Sequence, residues 1–205
     1  MNKKQEWMSG RAGDAVTGTE WNGQAELSAF FAVIAQNQPD KEKILFICIG
    51  SDRSTGDSFG PIVGTLLKRQ GWSRVIGTLE EPCDAYKVEA AAREAASLGT
   101  EEGLTVVAID AGLGKPQLVG GFVAKEGPLQ PGAATGRRLP PVGNYSIAGI
   151  VNINGPKAYW MLQTTSLHHV MRMADKVAAA VGAAWPPQEE SSNGNERAEL
   201  FEEAK

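Results

Sequence analysis

Histidine and cysteine are scarce in this chain of 205 residues: there are two of each. The two cysteines, Cys48 and Cys83, show no CxxC spacing, so neither a disulfide framework nor a thiolate zinc site is expected. Cys48 lies within the apolar run ILFICIG and reads as a small buried hydrophobe. The two histidines are adjacent, His168 and His169, in a helix-like segment where neighbouring side chains point about 100° apart. At most one of them could face a site, which leaves any serine nucleophile without a ready imidazole base. A basic excess is also lacking. Twenty Lys and Arg against twenty-four Asp and Glu give a net charge of −4, which argues against a nucleic-acid binder. No window holds eighteen apolar residues, and the start, MNKKQEWMSGRAGD, has no apolar core of a signal peptide. The expectation is a soluble, unexported, cytoplasmic protein with no membrane partner.

What is present is alternation. The hydrophobic content of 42% is enough for one sizeable core. Residues 1–22 are polar and Gly-rich and read as a flexible segment; 23–185 read as one α/β domain; 186–205 read as an acidic disordered tail. A short helix is expected at about Ala25–Ile34, and exposed apolar residues near it leave room for a homodimer. KILFICI suits a strand covered on both faces. DSFGPIVGTLLKRQ follows as a helix with Pro61 near its start. RVIGTL reads as a second strand, and DAYKVEAAAREAASL as a helix that Asp84 could N-cap. LTVVAI, LVGGFVA and YSIAGIVNI complete five strands, and a last helix is expected from about Lys157 to Ala180. Strand–helix–strand–helix–strand implies right-handed crossovers, a mostly parallel sheet between helices, and a mixed or antiparallel edge among the later strands.

Ligands of open parallel sheets gather at the carboxyl ends of strands where the strand order reverses. With an order beginning 2-1-3, the stretch CIGSDRSTGDSFGP, Cys48 to Pro61, and the end of VVAID come to one place. Asp57 and Asp110 then stand on neighbouring strands. Glu80 and Glu81 are expected on the flank, with Arg53 as the main counter-charge. A phosphate loop is disfavoured, since no Lys-Ser/Thr follows Gly50 and Gly56 and the acids would repel a phosphate. An oxygen-only Mg²⁺ or Mn²⁺ site from Asp57, Asp110 and Glu81 is chemically reasonable. A pair of facing carboxylates is the other use: one keeps its proton and polarises a carbonyl while the other takes a proton from water. The plain role for Asp57 is to N-cap the helix that follows.

The stretches CIGSDRSTGDSFGP, GTLEEP, AIDAGLG, VGGFVAKEGPLQPGA, LPPVGNYSIAGIVNI and LQTTSL resemble the YyaC spore-protein family, in order, from about Ile44 to Ala180. That family is in turn similar to the germination protease of spores and, more distantly, to the hydrogenase maturation endopeptidases. The resemblance implies a phosphorylase/hydrolase-like three-layer α/β/α sandwich. It also implies a peptidase acting on a protein or peptide substrate during sporulation or germination, inside the spore or forespore. The catalytic aspartates carry over to Asp57, within GDSFGP, and to Asp110, within IDA. Asp52, Arg53, Ser54, Thr55 and Glu81 are assigned to substrate binding, and no metal or other cofactor is assigned. The nickel-binding histidine of the hydrogenase enzymes has no counterpart here. Gly112, Asn144 and GPKAYW depart from the usual family pattern without touching either aspartate. A catalytically silent binding or regulatory protein that keeps the fold is the alternative. The Pro- and Gly-rich connection from Glu126 to Asn144 reads either as a lid in which Arg137 and Arg138 attract acidic chains or as a solvated loop.

Overall fold

In a computed structural model the described residues are 19–21, 24–132 and 139–186. The outer parts of both terminal segments, and Arg137 and Arg138 with the lid reading attached to them, lie outside these residues.

Six strands form one sheet in the order β1-β5-β6-β4-β2-β3. The centre is parallel: β2 (Ile44–Cys48) lies between β3 (Val75–Ile76) and β4 (Thr105–Gly114), and β4 pairs with β6 (Tyr145–Ile153). β5 (Phe122–Glu126) runs antiparallel to β6, and β1 (Thr19–Trp21) antiparallel to β5. The mixed edge expected among the later strands is therefore present. Thr19–Trp21 also extends the sheet into the segment read as flexible.

All five residues of β2 are buried, because the sheet is covered on both sides. α1 (Gln24–Asn37), α2 (Phe59–Arg69) and α5 (Leu167–Ala184) cover one face, with Phe31, Phe46, Phe59, Ile109, Ile147 and Met173 at under 3% exposure in the core between. α3 (Val88–Glu102) covers the other face over Ile47, Cys83 and Ala108. This is a three-layer α/β/α sandwich. The chain moves from β2 outward to β3 and then back across β2 to β4. Reversing direction while keeping one crossover hand puts α2 and α3 on opposite faces. The carboxyl ends of β2 and β4 are the point of reversal.

Several elements differ from the sequence expectation. Of LVGGFVA only Phe122–Ala124 is strand, since Pro116–Leu118 forms a 3-10 turn, and the strand read as LTVVAI runs on to Gly114. RVIGTL keeps only Val75 and Ile76 as strand, because Gly77 takes φ +91° and Thr78–Glu81 closes a turn through the Thr78 N–H on the Glu81 carbonyl at 3.0 Å. The last helix is two: α4 (Ala158–Gln163) ends at Thr164, and α5 starts anew with Ser166 capping the His169 N–H. Asp84 does not N-cap α3; Lys87 holds that position, and the Asp84 carboxylate accepts from the N–H groups of Tyr86 and Lys87 in the preceding turn. Among the described residues, no helix is long and apolar enough to cross a membrane.

Candidate active site

The site begins where β2 ends. The Ile49 N–H donates to the Ile109 carbonyl at 2.7 Å, and the chain then turns toward the other flank, where the Gly50 N–H donates to the Cys83 carbonyl at 3.0 Å. The loop from Ser51 to Ser58 closes on itself through the Ser51 N–H and the Asp57 carbonyl, 3.2 Å apart. Two glycines permit the closure. A Cβ on Gly50, which has φ +143°, would stand 2.0 Å from the Asp57 carbonyl oxygen, and one on Gly60 would stand 2.0 Å from that of Ile49.

Asp57 is half-buried at the end of this loop. It does not cap α2: Ser58 is the N-cap residue, and its hydroxyl donates to the Thr55 carbonyl at 2.6 Å. Burial pushes the Asp57 carboxyl up to about 6; the Ser51 N–H opposes this and the nearby Asp84 charge adds to it. Asp110 stands on β4 immediately after the last residue paired with β2. Burial is the main cause that holds its carboxyl well above the ordinary carboxylate range, and the Asp57 charge raises it further. The Ala111 N–H, 2.7 Å from Asp110 Oδ1, works the other way. Asp110 thus keeps its proton while Asp57 titrates, which is why Asp84, not Asp110, is the charge that Asp57 feels.

Asp84 is the site residue that the sequence reading missed. Residues around Cys83 return alongside Ile49 as a one-residue parallel bridge beyond the end of β3. This puts Asp84 at the same sheet edge, where it pairs with Arg53 (Nη2 to Oδ2, 3.1 Å). A Cys just ahead of a helix start, in a segment too short to read as a strand, gave little signal. Cys83 itself is buried, and burial, with Asp84 and Asp110 adding and Lys87 opposing, pushes its thiol up to about 12. Cys48 is fully buried on β2, and burial raises its thiol as well.

The other named residues fall into two groups. Arg53 is mostly exposed, takes the Ser51 hydroxyl and Asp84, and so serves Asp84 rather than Asp57. Ser54 is buried with an unpartnered hydroxyl, Thr55 anchors Ser58, and Asp52 is exposed. Glu81 and Glu80 do not join the aspartates. Both are exposed in the turn after β3, lining a groove of about 1010 Å³ along that sheet edge, and Glu81 pairs with Lys87 at 3.6 Å. His168 is exposed on α5, and the His169 ring lies against Gly120, in the turn that follows the 3-10 helix Pro116–Leu118 beyond β4. Among the described residues, no three His, Cys, Asp or Glu side chains are arranged to hold a metal ion. The three-carboxylate set of Asp57, Asp110 and Glu81 considered for Mg²⁺ or Mn²⁺ is not assembled, because Glu81 lies in the turn after β3.

An α/β sandwich with two unlike carboxylates at its switch point defines the class. The chain belongs to the family described as a protein of unknown function, DUF1256, whose model matches residues 16–180. It is similar to YyaC of Bacillus subtilis (strain 168), a protein described as uncharacterized, with 44% identity over 137 residues that make up 66% of each chain. The match thus spans just under two thirds of that relative. Among solved structures, the [NiFe] hydrogenase maturation protease HycI from Thermococcus kodakarensis KOD1 gives a TM-score of 0.43 at 19% identity, over 68% of this chain and 92% of that one.

Proposed function

We propose that this protein is a peptidase that uses Asp57 and Asp110 as an acid–base pair. The observation that carries the reading is the meeting of two acids in unlike surroundings at the switch point. Asp110 stands on β4 just past its pairing with β2, and half-buried Asp57 closes the loop that β2 feeds. Burial raises both carboxyls, Asp110 the further. The Asp57 carboxylate takes a proton from a water molecule, whose oxygen attacks the peptide carbonyl carbon. The Asp110 carboxyl donates a hydrogen bond to the carbonyl oxygen as negative charge grows there. The proton on Asp57 then passes to the departing amine, the C–N bond breaks, and both acids return to their starting state. Ser54 and Thr55 serve by holding the Asp57 loop, their carbonyls accepting the Ser58 N–H at 2.9 Å and the Ser58 hydroxyl at 2.6 Å. The setting we propose is sporulation or germination, in line with the resemblance to the YyaC spore proteins.

A binding protein with an acidic pocket is the second reading, favoured by Asp84, a third carboxylate for which a two-acid reaction has no use. Asp57→Asn and Asp110→Asn separate the two. Each is expected to keep the fold and to slow hydrolysis by about 10²–10⁴-fold. Proteomic comparison of spores carrying the natural and substituted proteins supplies the substrate: truncated products should be missing from both variants. Identical peptide inventories in all strains would leave the binding reading in possession.

A further inference from the structure

β4 has ten residues where its neighbour β2 has five. The two separate after the bond between Ile49 and Ile109. Beyond it, β4 keeps β6 on one side, and β2 no longer runs along the other. Alternate residues of a strand turn their backbone groups to opposite edges. Val106, bonded through both its N–H and its carbonyl to Asn144, and Gly114, whose carbonyl accepts from the Asn154 N–H at 2.7 Å, face β6. Ile109 faces β2. Ala111 and Leu113, in phase with Ile109, therefore face the edge that β2 has left. The Ala111 N–H is met by Asp110 Oδ1. Among the described residues, no bond outside the strand ladders meets the Ala111 carbonyl, the Leu113 N–H or the Leu113 carbonyl.

An open row of main-chain donors and acceptors is a template for another strand, and proteins ordinarily cover it. Here it starts at the acid pair. We propose that this edge is the substrate's berth: an extended peptide segment pairs with Ala111 and Leu113 as an added strand, continuing the sheet where β2 departs. The proposal rests on the peptidase reading and deepens it by naming the substrate class, an unfolded stretch of main chain recognised chiefly through its backbone. Strand spacing lays that backbone about 4.8 Å from β4, alongside Asp110 and in front of the loop that carries Asp57.

The two faces of the overhang suit this use. Ala111 and Leu113 pack against the core on the α2 side. Asp110, Gly112 and Gly114 share the opposite face, where past the acid β4 contributes no side chain of its own and Ile150 of β6 lies close over the glycines. A Cβ on Gly112 or Gly114 would come within 3.1 or 2.7 Å of Ile150. At the far end, Ile153 pairs in register with Gly114 and is 40% exposed, while Tyr159 and Trp160 on α4 are each 60% exposed.

The test uses full-length Asp57→Asn protein and a displayed library of random dodecapeptides as the probe. Selected peptides are resynthesised with single N-methyl groups at each position. Pairing predicts that methylation at alternate residues weakens binding by about fivefold or more, with little effect between them. Exchange of the Leu113 amide proton is fast in the free protein and slows on binding. Leu113→Pro, which removes a donor the fold does not use, weakens binding while leaving the melting temperature within a few degrees. Should that variant prove unstable, the exchange rate of the unsubstituted protein decides. A library that yields no ligand, an N-methyl pattern without a two-residue period, or a Leu113 amide already protected in the free protein overturns the proposal. The two readings fail separately. Peptides that pair with the edge but stay whole with unsubstituted enzyme remove the peptidase reading and keep the edge. Cleavage that survives Leu113→Pro removes the edge and keeps the peptidase.

Discussion

Arg53 reaches Asp84 across thirty-one residues of sequence, Nη2 to Oδ2 at 3.1 Å, and so engages one of three carboxylates at the switch point. The arginine's side chain is 75% exposed, so the pair adds little to stability. Its effect is on the charge that Asp57 feels.

Asp84→Asn removes a negative charge that raises Asp57, so Asp57 ionises at lower pH and the acid limb of the rate profile moves down from about 6. Arg53→Ala exposes the Asp84 charge and moves the same limb up. Shifts of a few tenths of a unit are expected at such exposed positions. The pH dependence of peptide hydrolysis checks both, and carboxyl NMR titration reads Asp57 directly. Shifts of the same sign for the two variants would be incompatible with this arrangement.

Stability should fall as pH rises. Asp57 goes from an ordinary 3.8 to about 6 on folding, so the folded state holds its proton more tightly than the unfolded chain. That contribution is fully present below about pH 3.8 and is lost as pH rises through about 6. A shift of this size corresponds to about 3 kcal/mol, and solvent reaching the half-buried carboxyl reduces it to about 1–3. Asp110, raised further, extends the loss to higher pH. Urea midpoints measured from pH 4 to 8 should decline, and Asp110→Asn should flatten the upper part of the curve.

Gly50→Ala tests the loop closure. Its Cβ would stand 2.0 Å from the Asp57 carbonyl oxygen, at φ +143°, so either the loop opens or the backbone strains. A cost of about 2–4 kcal/mol follows. A fall in melting temperature should accompany lost activity. By contrast Gly71→Ala, with open space around its Cβ, carries only the strain of φ +84° and should leave activity intact.

A chelator should leave the hydrolysis rate unchanged, since the aspartates as arranged do not assemble three metal-ligating side chains. Elemental analysis of active protein provides the check. Stoichiometric Mn²⁺ or Ni²⁺, removed together with activity, would require a different account of Asp57 and Asp110.

Apolar runs carried most of the fold in the sequence. YSIAGIVNI is β6 residue for residue, and KILFICI contains β2, because a strand covered on both faces has no polar interruption. The aspartate pair followed from strand ends and the 2-1-3 order. Other features needed three dimensions. VVAID reads as the end of its strand, yet AGLG continues β4 because β6 supplies a partner there. Asp84 reads as a cap for α3; only the return of Cys83 beside Ile49 makes it a neighbour of Asp57. Glu81 was expected at the aspartates from its place after a strand, but that strand stops at Ile76 and the turn carries Glu81 into the edge groove.

The two thiols provide a native clock. Cys48 lies under the centre of the sheet, while Cys83 sits behind the acidic mouth, and both are kept from forming thiolate by burial. An alkylating reagent can reach Cys83 once the mouth breathes, but Cys48 only when the molecule comes apart. The ratio of the two labelling rates thus measures how often the entrance loosens without global denaturation, with no probe added to the chain.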